Sequence, residues 1–261
     1  MVVLSKQLIL SVAKSRDIYE TPELNDCLFL HGLAIESISS LPEYSEIEFF
    51  SLAENCLTSV CGISQFPNLR FLNISNNAIT DIDLKLFPNL EQLHACHNLL
   101  SSFTVSEKHC SLRMLKISDN KLTQFPDVSN LESLEVLDVA QNLIREMDLE
   151  NSAKIPPSLK QLYLSPNPFI GKIRNYRKTV LGSLCRFASL SYLDNAFVTE
   201  EESAIARCPN NELKIREHFA LSRRQELNRR VSDLRDLQFM FDETAYRICQ
   251  EIQTEAPELE F

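Results

Sequence analysis

Residues Leu69–Ile82 read LRFLNISNNAITDI, and this stretch decides the fold. Leu69, Leu72, Ile74, Asn77, Ile79 and Ile82 fit the template L-x-x-L-x-L-x-x-N-x-L-x-x-I. Working outward, Ile47, Phe50, Leu52, Asn55, Leu57 and Val60 fit it too, as do Leu112, Leu115, Ile117, Asn120, Leu122 and Phe125. Leu134, Leu137, Val139, Asn142, Ile144 and Met147 follow, and Leu90, Leu93, Ala95, Asn98, Leu100 and Phe103 fit with one small residue. A last unit begins Leu159, Leu162, Leu164 and Asn167. A degenerate first unit runs through Leu28, Leu30, Ile35 and Ile38, with Leu33 in place of the asparagine. Units start near 25, 47, 69, 90, 112, 134 and 159, so the spacings are 22, 22, 21, 22, 22 and 25. Each unit lays down one short strand with its apolar residues inward, and the return path brings more apolar residues to the same core. No unit can bury its apolar face alone, so neighbours stack. The expected fold is α/β: a curved, right-handed solenoid of about seven 22-residue units, with short parallel strands on its concave face.

The repeat is that of a leucine-rich repeat protein. The in-phase asparagines Asn55, Asn77, Asn98, Asn120, Asn142 and Asn167 sit where the chain leaves each strand. A side-chain amide both donates and accepts, so these six are read as a structural ladder. An open solenoid exposes its end layers and needs caps. At the front, Ser5 is placed to N-cap a helix carrying Leu8, Ile9, Val12 and Ala13. At the back, Asn167-Pro168-Phe169 leaves the register, a helix starts at Asn175-Tyr176 and runs to about Arg186, and Leu190, Tyr192, Leu193 and Asp194 follow. Tyr176, Leu193 and Asp194 resemble the C-terminal cap of leucine-rich proteins that regulate phosphatases, splice RNA or serve cilia.

Beyond Thr199 the period changes. Leu213, Ala220, Leu227, Leu234, Phe241 and Ile248 recur every seven residues. Val231, Ala245 and Ile252 fall on a second seam that Glu217, Arg224 and Gln238 interrupt. This predicts a long helix over about 212–253 that folds back on the solenoid or pairs with another helix, self-association included. The chain thus divides into an N-terminal helical cap (1–24), repeats (25–168), a C-terminal cap (169–200) and a helical extension (201–261).

Composition narrows the function. The 261 residues carry a formal charge of −10, which argues against direct nucleic-acid binding. Four glycines disfavour phosphate-cradling loops and any nucleotide cofactor. No apolar run reaches the length of a membrane span. Leu8–Ala13 is too short for a signal peptide, and the eight cysteines lack a Cys-x-x-Cys pair. They read as reduced thiols in the cytoplasm or nucleus. His94, Cys96 and His97 are near neighbours, but zinc needs three or four converging ligands, and His31 lies three units away. No metal site, no cofactor and no catalytic set is expected, so the chain is read as non-enzymatic.

The concave face is the candidate site. One row shows Cys27, Phe49, Phe71, Gln92, Met114, Val136 and Gln161; the other shows Phe29, Ser51, Asn73, His94, Lys116, Asp138 and Tyr163. Phe29, Phe49 and Phe71 cluster near the front, either as a partner-binding ridge or as covered core edge. Phe49 and Phe71 are the expected anchors, with Phe29 beside them and His94, Lys116, Asp138 and Tyr163 as polar neighbours.

The stretch Tyr19-Glu20-Thr21-Pro22-Glu23-Leu24-Asn25-Asp26-Cys27-Leu28-Phe29-Leu30-His31, with Leu41-Pro42-Glu43-Tyr44, resembles the leucine-rich-repeat dynein axonemal assembly factor family. Asn167-Pro168-Phe169-Ile170, Asn175-Tyr176-Arg177-Lys178-Thr179-Val180 and Tyr192-Leu193-Asp194 add to it. The resemblance covers about residues 17–200. It implies a cytoplasmic factor in dynein arm assembly for cilia or flagella, with dynein chains and chaperones as partners. Two alternatives share the repeat and cap. One is a phosphatase-regulatory subunit, to which Asp138 and Tyr163 would belong. The other is a nuclear spliceosomal scaffold that holds an RNA-binding partner, with the basic run Lys214–Arg235 touching phosphates.

Overall fold

A computed structural model describes residues 2–16, 18–147, 155–184 and 189–255, with side chains as far as residue 235. Contacts divide it into two units, Met1–Arg207 and Cys208–Phe261.

The first unit is the solenoid. Its repeat strands are β2 (Cys27–Phe29), β4 (Phe49–Ser51), β5 (Phe71–Asn73), β6 (Gln92–His94), β7 (Met114–Lys116), β8 (Val136–Asp138) and β9 (Gln161–Tyr163). They pair in parallel and in step: Phe49 stands beside Phe71, Phe71 beside Gln92 and Gln92 beside Met114. Successive strand residues point to opposite faces. The middle residue of each strand therefore enters the core, and Leu28, Phe50, Leu72, Leu93, Leu115, Leu137 and Leu162 are all 0% exposed. Short 3₁₀ turns on the return path, at Pro42–Tyr44, Cys61–Ile63 and Leu84–Leu86, send Tyr44, Ile63 and Leu84 into the same core.

The six asparagines link neighbouring coils. Asn120 Oδ1 accepts from the Leu100 amide at 3.0 Å, and its Nδ2 donates to the carbonyls of Ala95, Ile117 and Ser118 at 3.0–3.1 Å. The carbonyls are shared along the row. Ala95 O takes both Asn98 and Asn120, and Ile117 O takes both Asn120 and Asn142. In the first six units the residue before the ladder position, Leu33 in the first and asparagine in the others, has a positive φ: Gly32 (67°), Glu54 (58°), Asn76 (57°), His97 (53°), Asp119 (50°) and Gln141 (54°). That turn aims the following side chain inward. In the last unit Pro166 holds this place, and its ring fixes φ negative.

The front cap contains the expected helix and one element that the periodicity does not announce. α1 spans Lys6–Val12, and Ser5 Oγ accepts from the Leu8 amide at 3.4 Å. Ahead of it, β1 (Val2–Leu4) pairs in parallel with β3 (Ile35–Ile38), making a two-stranded sheet apart from the main one. Gly62 lets the next coil approach β3, since a Cβ there would stand 2.6 Å from Ile38 Cβ. Strand β2 is the open edge of the large sheet. Arg16 covers it, donating to the carbonyls of Phe29 (3.3 Å) and His31 (2.7 Å).

At the back, α2 spans Tyr176–Leu184; Arg186, the expected helix end, lies outside the described residues. β10 (Tyr192–Leu193) adds to β9 in parallel, and β11 (Ala196–Phe197) closes the sheet in antiparallel fashion. α3 (Glu200–Arg207) packs on α2 and belongs to the first unit. Ile205 and Ala206 of α3 are buried, and Arg177 of α2 holds Glu202 with two bonds of 2.7 and 2.9 Å.

The second unit is one helix, α4 (Glu212–Glu255), preceded by a 3₁₀ turn at Pro209–Asn211. Its length matches the helix predicted over 212–253. The side chains of residues 220–235 are exposed throughout.

Candidate protein-binding face

The large sheet gives the solenoid a regular face. Alternation buries the middle residue of each strand and leaves most of the flanking ones partly exposed; Ser51 on β4 is buried. Phe29 is 46% exposed and Phe49 38%, whereas Phe71 is partly buried. The Phe49 and Phe71 ring centroids lie 6.3 Å apart. Phe71 meets His94 edge-on at 5.2 Å, and His94 Nε2 lies 3.3 Å from Met114 Sδ. Four strands, β4 to β7, thus carry a continuous row of Phe49, Phe71, His94 and Met114. Phe29 stands on the neighbouring edge strand.

His94 belongs to this row more than to a polar fringe. Burial, and then the nearby Lys116 ammonium, push its pKa down to about 4. Its ring is neutral at pH 7 and packs edge-on with Phe71. The pH consequence has a definite sign. The unfolded ring takes its proton near pH 6.5, and the folded ring only near 4. Stability is therefore full above 6.5 and is lost as pH falls toward 4. We expect that loss to reach about 2 kcal/mol at pH 4 relative to His94→Gln, less than the full shift implies because part of the ring is in water. Urea titrations of both chains at pH 7, 5.5 and 4 measure it.

Lys116, Asp138 and Tyr163 occupy the same row position on β7, β8 and β9 and stand in register. Asp138 Oδ1 accepts from the Ala140 amide at 3.0 Å, so its carboxylate braces its own turn. Tyr163 Oη bonds Gln161 Oε1 at 3.2 Å. His97 Nδ1 lies 2.5 Å from Asp119 Oδ2 across one coil, and Ser118 Oγ donates to Cys96 Sγ at 3.2 Å. Among the described residues no group of three or more His, Cys, Asp or Glu is placed to hold a metal ion. Burial and the adjacent Asp26 push the Cys27 thiol up to about 11, so it stays protonated at neutral pH.

The back cap is built as a polar lock. Asp194 Oδ1 accepts from the amides of Leu164 and Ser165 at 2.8 and 2.9 Å, and its Oδ2 accepts from Tyr176 Oη at 3.0 Å. Burial and the Asp194 charge raise the Tyr176 pKa. Leu193 is buried beneath them. The Arg177 bonds hold the Glu202 carboxyl down to about 2.

One column escaped the sequence reading. The residue after each unit start alternates in sign: Glu48, Arg70, Glu91, Arg113, Glu135 and Lys160. Arg70 bridges Glu91 at 2.6 Å and Glu48 at 3.5 Å, and Lys160 reaches Glu135 at 2.8 Å. Exposed pairs of this kind are screened by water and add little to stability. The signal lay in one template position read down the units.

Parallel strands of 22-residue period, the asparagine ladder and two caps define the class: the first unit has the leucine-rich repeat fold. The family model "Leucine Rich repeats (2 copies)" matches residues 67–108. The chain is similar to Protein PAC2 of Saccharomyces cerevisiae, with 32% identity over 54% of this chain and 30% of the relative. It is similar to the leucine-rich repeat-containing protein ODA7 of Chlamydomonas reinhardtii, with 28% identity over 78% and 48%. It is also similar to a dynein axonemal assembly factor 1 homolog of Drosophila melanogaster, with 30% identity over 75% and 13%. The chain thus spans less than half the length of each of these relatives. Among solved structures, an internalin from Listeria monocytogenes shares the fold, with a TM-score of 0.51 and 16% identity over 77% of this chain and 62% of that one. No helix among the described residues is long and apolar enough to cross a membrane.

Proposed function

We propose that this chain is a non-enzymatic scaffold that binds a protein partner on the face of β2 to β7. The observation that carries this is the aromatic group on that face: Phe29 and Phe49 are exposed, and the partly buried Phe71, His94 and Met114 pack on in sequence from Phe49. Rings of this kind desolvate readily and anchor protein interfaces. Lys116 and Tyr163 extend the face with polar groups that fix orientation.

The partner we propose is a component of dynein arm assembly, which places the chain in the cytoplasm, cilium or flagellum. Support comes from similarity to relatives named for axonemal dynein assembly and from the Tyr19–His31 stretch. The structure gives part of that stretch a physical role. Asn25 Nδ2 donates to the carbonyls of Tyr19, Thr21 and Pro22, and its Oδ1 accepts from the Tyr19 amide. The turn presents Tyr19 and Leu24 to solvent beside the edge strand. Affinity purification of the tagged chain from its own cells, with mass spectrometry, tests the proposal. Dynein chains with chaperones are expected. A phosphatase catalytic subunit or splicing proteins in their place would overturn the dynein reading.

A further inference from the structure

Helix α4 is a unit of its own, 44 residues long, or about 66 Å at 1.5 Å per residue. Its first half is uncovered: Leu213 is 77% exposed, Leu227 65% and Leu234 64%. Leucines at a seven-residue spacing, left in water along one stripe, are the mark of a coiled-coil strand without its partner. The stripe continues in sequence through Phe241 and Ile248. Pairs such as Arg216 with Glu212 (2.8 Å) and Arg230 with Glu226 (3.1 Å) support the helix locally.

We propose that α4 pairs with α4 of a second copy of this chain as an antiparallel coiled coil. Charge selects both the occupant and the direction. Residues 214–235 carry seven basic and three acidic side chains, while residues 236–255 carry one basic and five acidic. A parallel pair sets like halves together. It also stacks Arg224 on Arg224 and Glu217 on Glu217 inside the seam. An antiparallel pair sets the basic half of each helix on the acidic half of the other.

The heptad positions agree with this direction. With Val231 opposite the partner's Leu234, every seam position finds an opposite number. Leu213 faces the partner's Ile252, Ala220 the partner's Ala245 and Leu227 the partner's Gln238. The second-seam interruptions fall opposite apolar residues: Arg224 meets the partner's Phe241 and Glu217 the partner's Ile248. An arginine on an aromatic ring at a seam edge keeps its head in water while its stem packs. On the flank, Arg216 lies across from the partner's Glu251.

Sedimentation of the full chain tests this. A dimer is expected at micromolar concentration. Leu227→Glu with Leu234→Glu should raise its dissociation constant at least about 100-fold, since two seam leucines are replaced by charges. Solenoid melting should stay unchanged, which verifies that the variant is folded. For direction, Arg216→Glu alone and Glu251→Arg alone should each weaken the dimer about fivefold, and the two together should recover it. A monomer across the micromolar range, or leucine variants that associate as tightly as the parent, would overturn the pairing. Failure of the double charge swap to recover the dimer would overturn the antiparallel arrangement.

Discussion

Asn120→Ala is expected to destabilise the solenoid by about 3 kcal/mol, read as a lower urea midpoint at pH 7. The substitution removes four bonds. Ala95 O and Ile117 O keep a second asparagine donor, and Ser118 O keeps the His97 amide. The Leu100 amide, buried between two coils, loses its acceptor outright, and an unsatisfied buried donor costs about 1–3 kcal/mol. The lost bonds of Nδ2 supply the remainder. Because Ala95 O is shared, Asn98→Ala combined with Asn120→Ala should cost about 1 kcal/mol more than the two singles added together. Lys121→Ala, on the exposed neighbour, should stay within about 0.5 kcal/mol of the parent. An Asn120→Ala chain as stable as Lys121→Ala would show that the ladder carries no stability.

The second large effect concerns binding. Phe49→Ala with Phe71→Ala should weaken partner capture by about 100-fold or more, as loss of two aromatic anchors does elsewhere. Unfolding should shift by only about 2 kcal/mol for the pair, against about 3–5 for one fully buried phenylalanine such as Phe50. Phe49→Glu alone changes the most exposed ring of the pair and leaves the core untouched, so it separates the two readings. If the double variant unfolds as Phe50→Ala does, the rings are core and the interface assignment fails. If both variants fold and still capture the partner, the face is not β2 to β7.

The solenoid was legible because its signal is redundant: seven strands, one buried residue at the centre of each, and an asparagine in phase. The long helix was legible from its seven-residue period. What escaped were features with no period. β1 is three residues long, and its pairing partner β3 lies more than thirty residues away. Arg16 gives no sign in sequence that it will cover the open edge of β2. α3 gives no sign in sequence that it belongs to the first unit; its packing on α2, with Ile205 and Ala206 buried, and the bonds of Arg177 to Glu202 assign it there. At the candidate face, Phe29, Phe49 and Phe71 were found from the template, while the merger of His94 into their row required ring packing. The alternating charges from Glu48 to Lys160 lie at a solvent-facing template position, which the apolar period does not define.

The positive-φ turn in the first six units sets a rule for inheritance. A residue with φ near +55° excludes β-branched side chains and tolerates asparagine, aspartate, histidine and glycine best. The chain already spells that column as glycine, glutamate, asparagine, histidine, aspartate and glutamine. Mutation at these positions is thus confined by backbone shape yet free in charge. As the gene diverges, the rim beside the strand face can change from acidic to neutral to basic one codon at a time, while the coil spacing beneath it stays fixed.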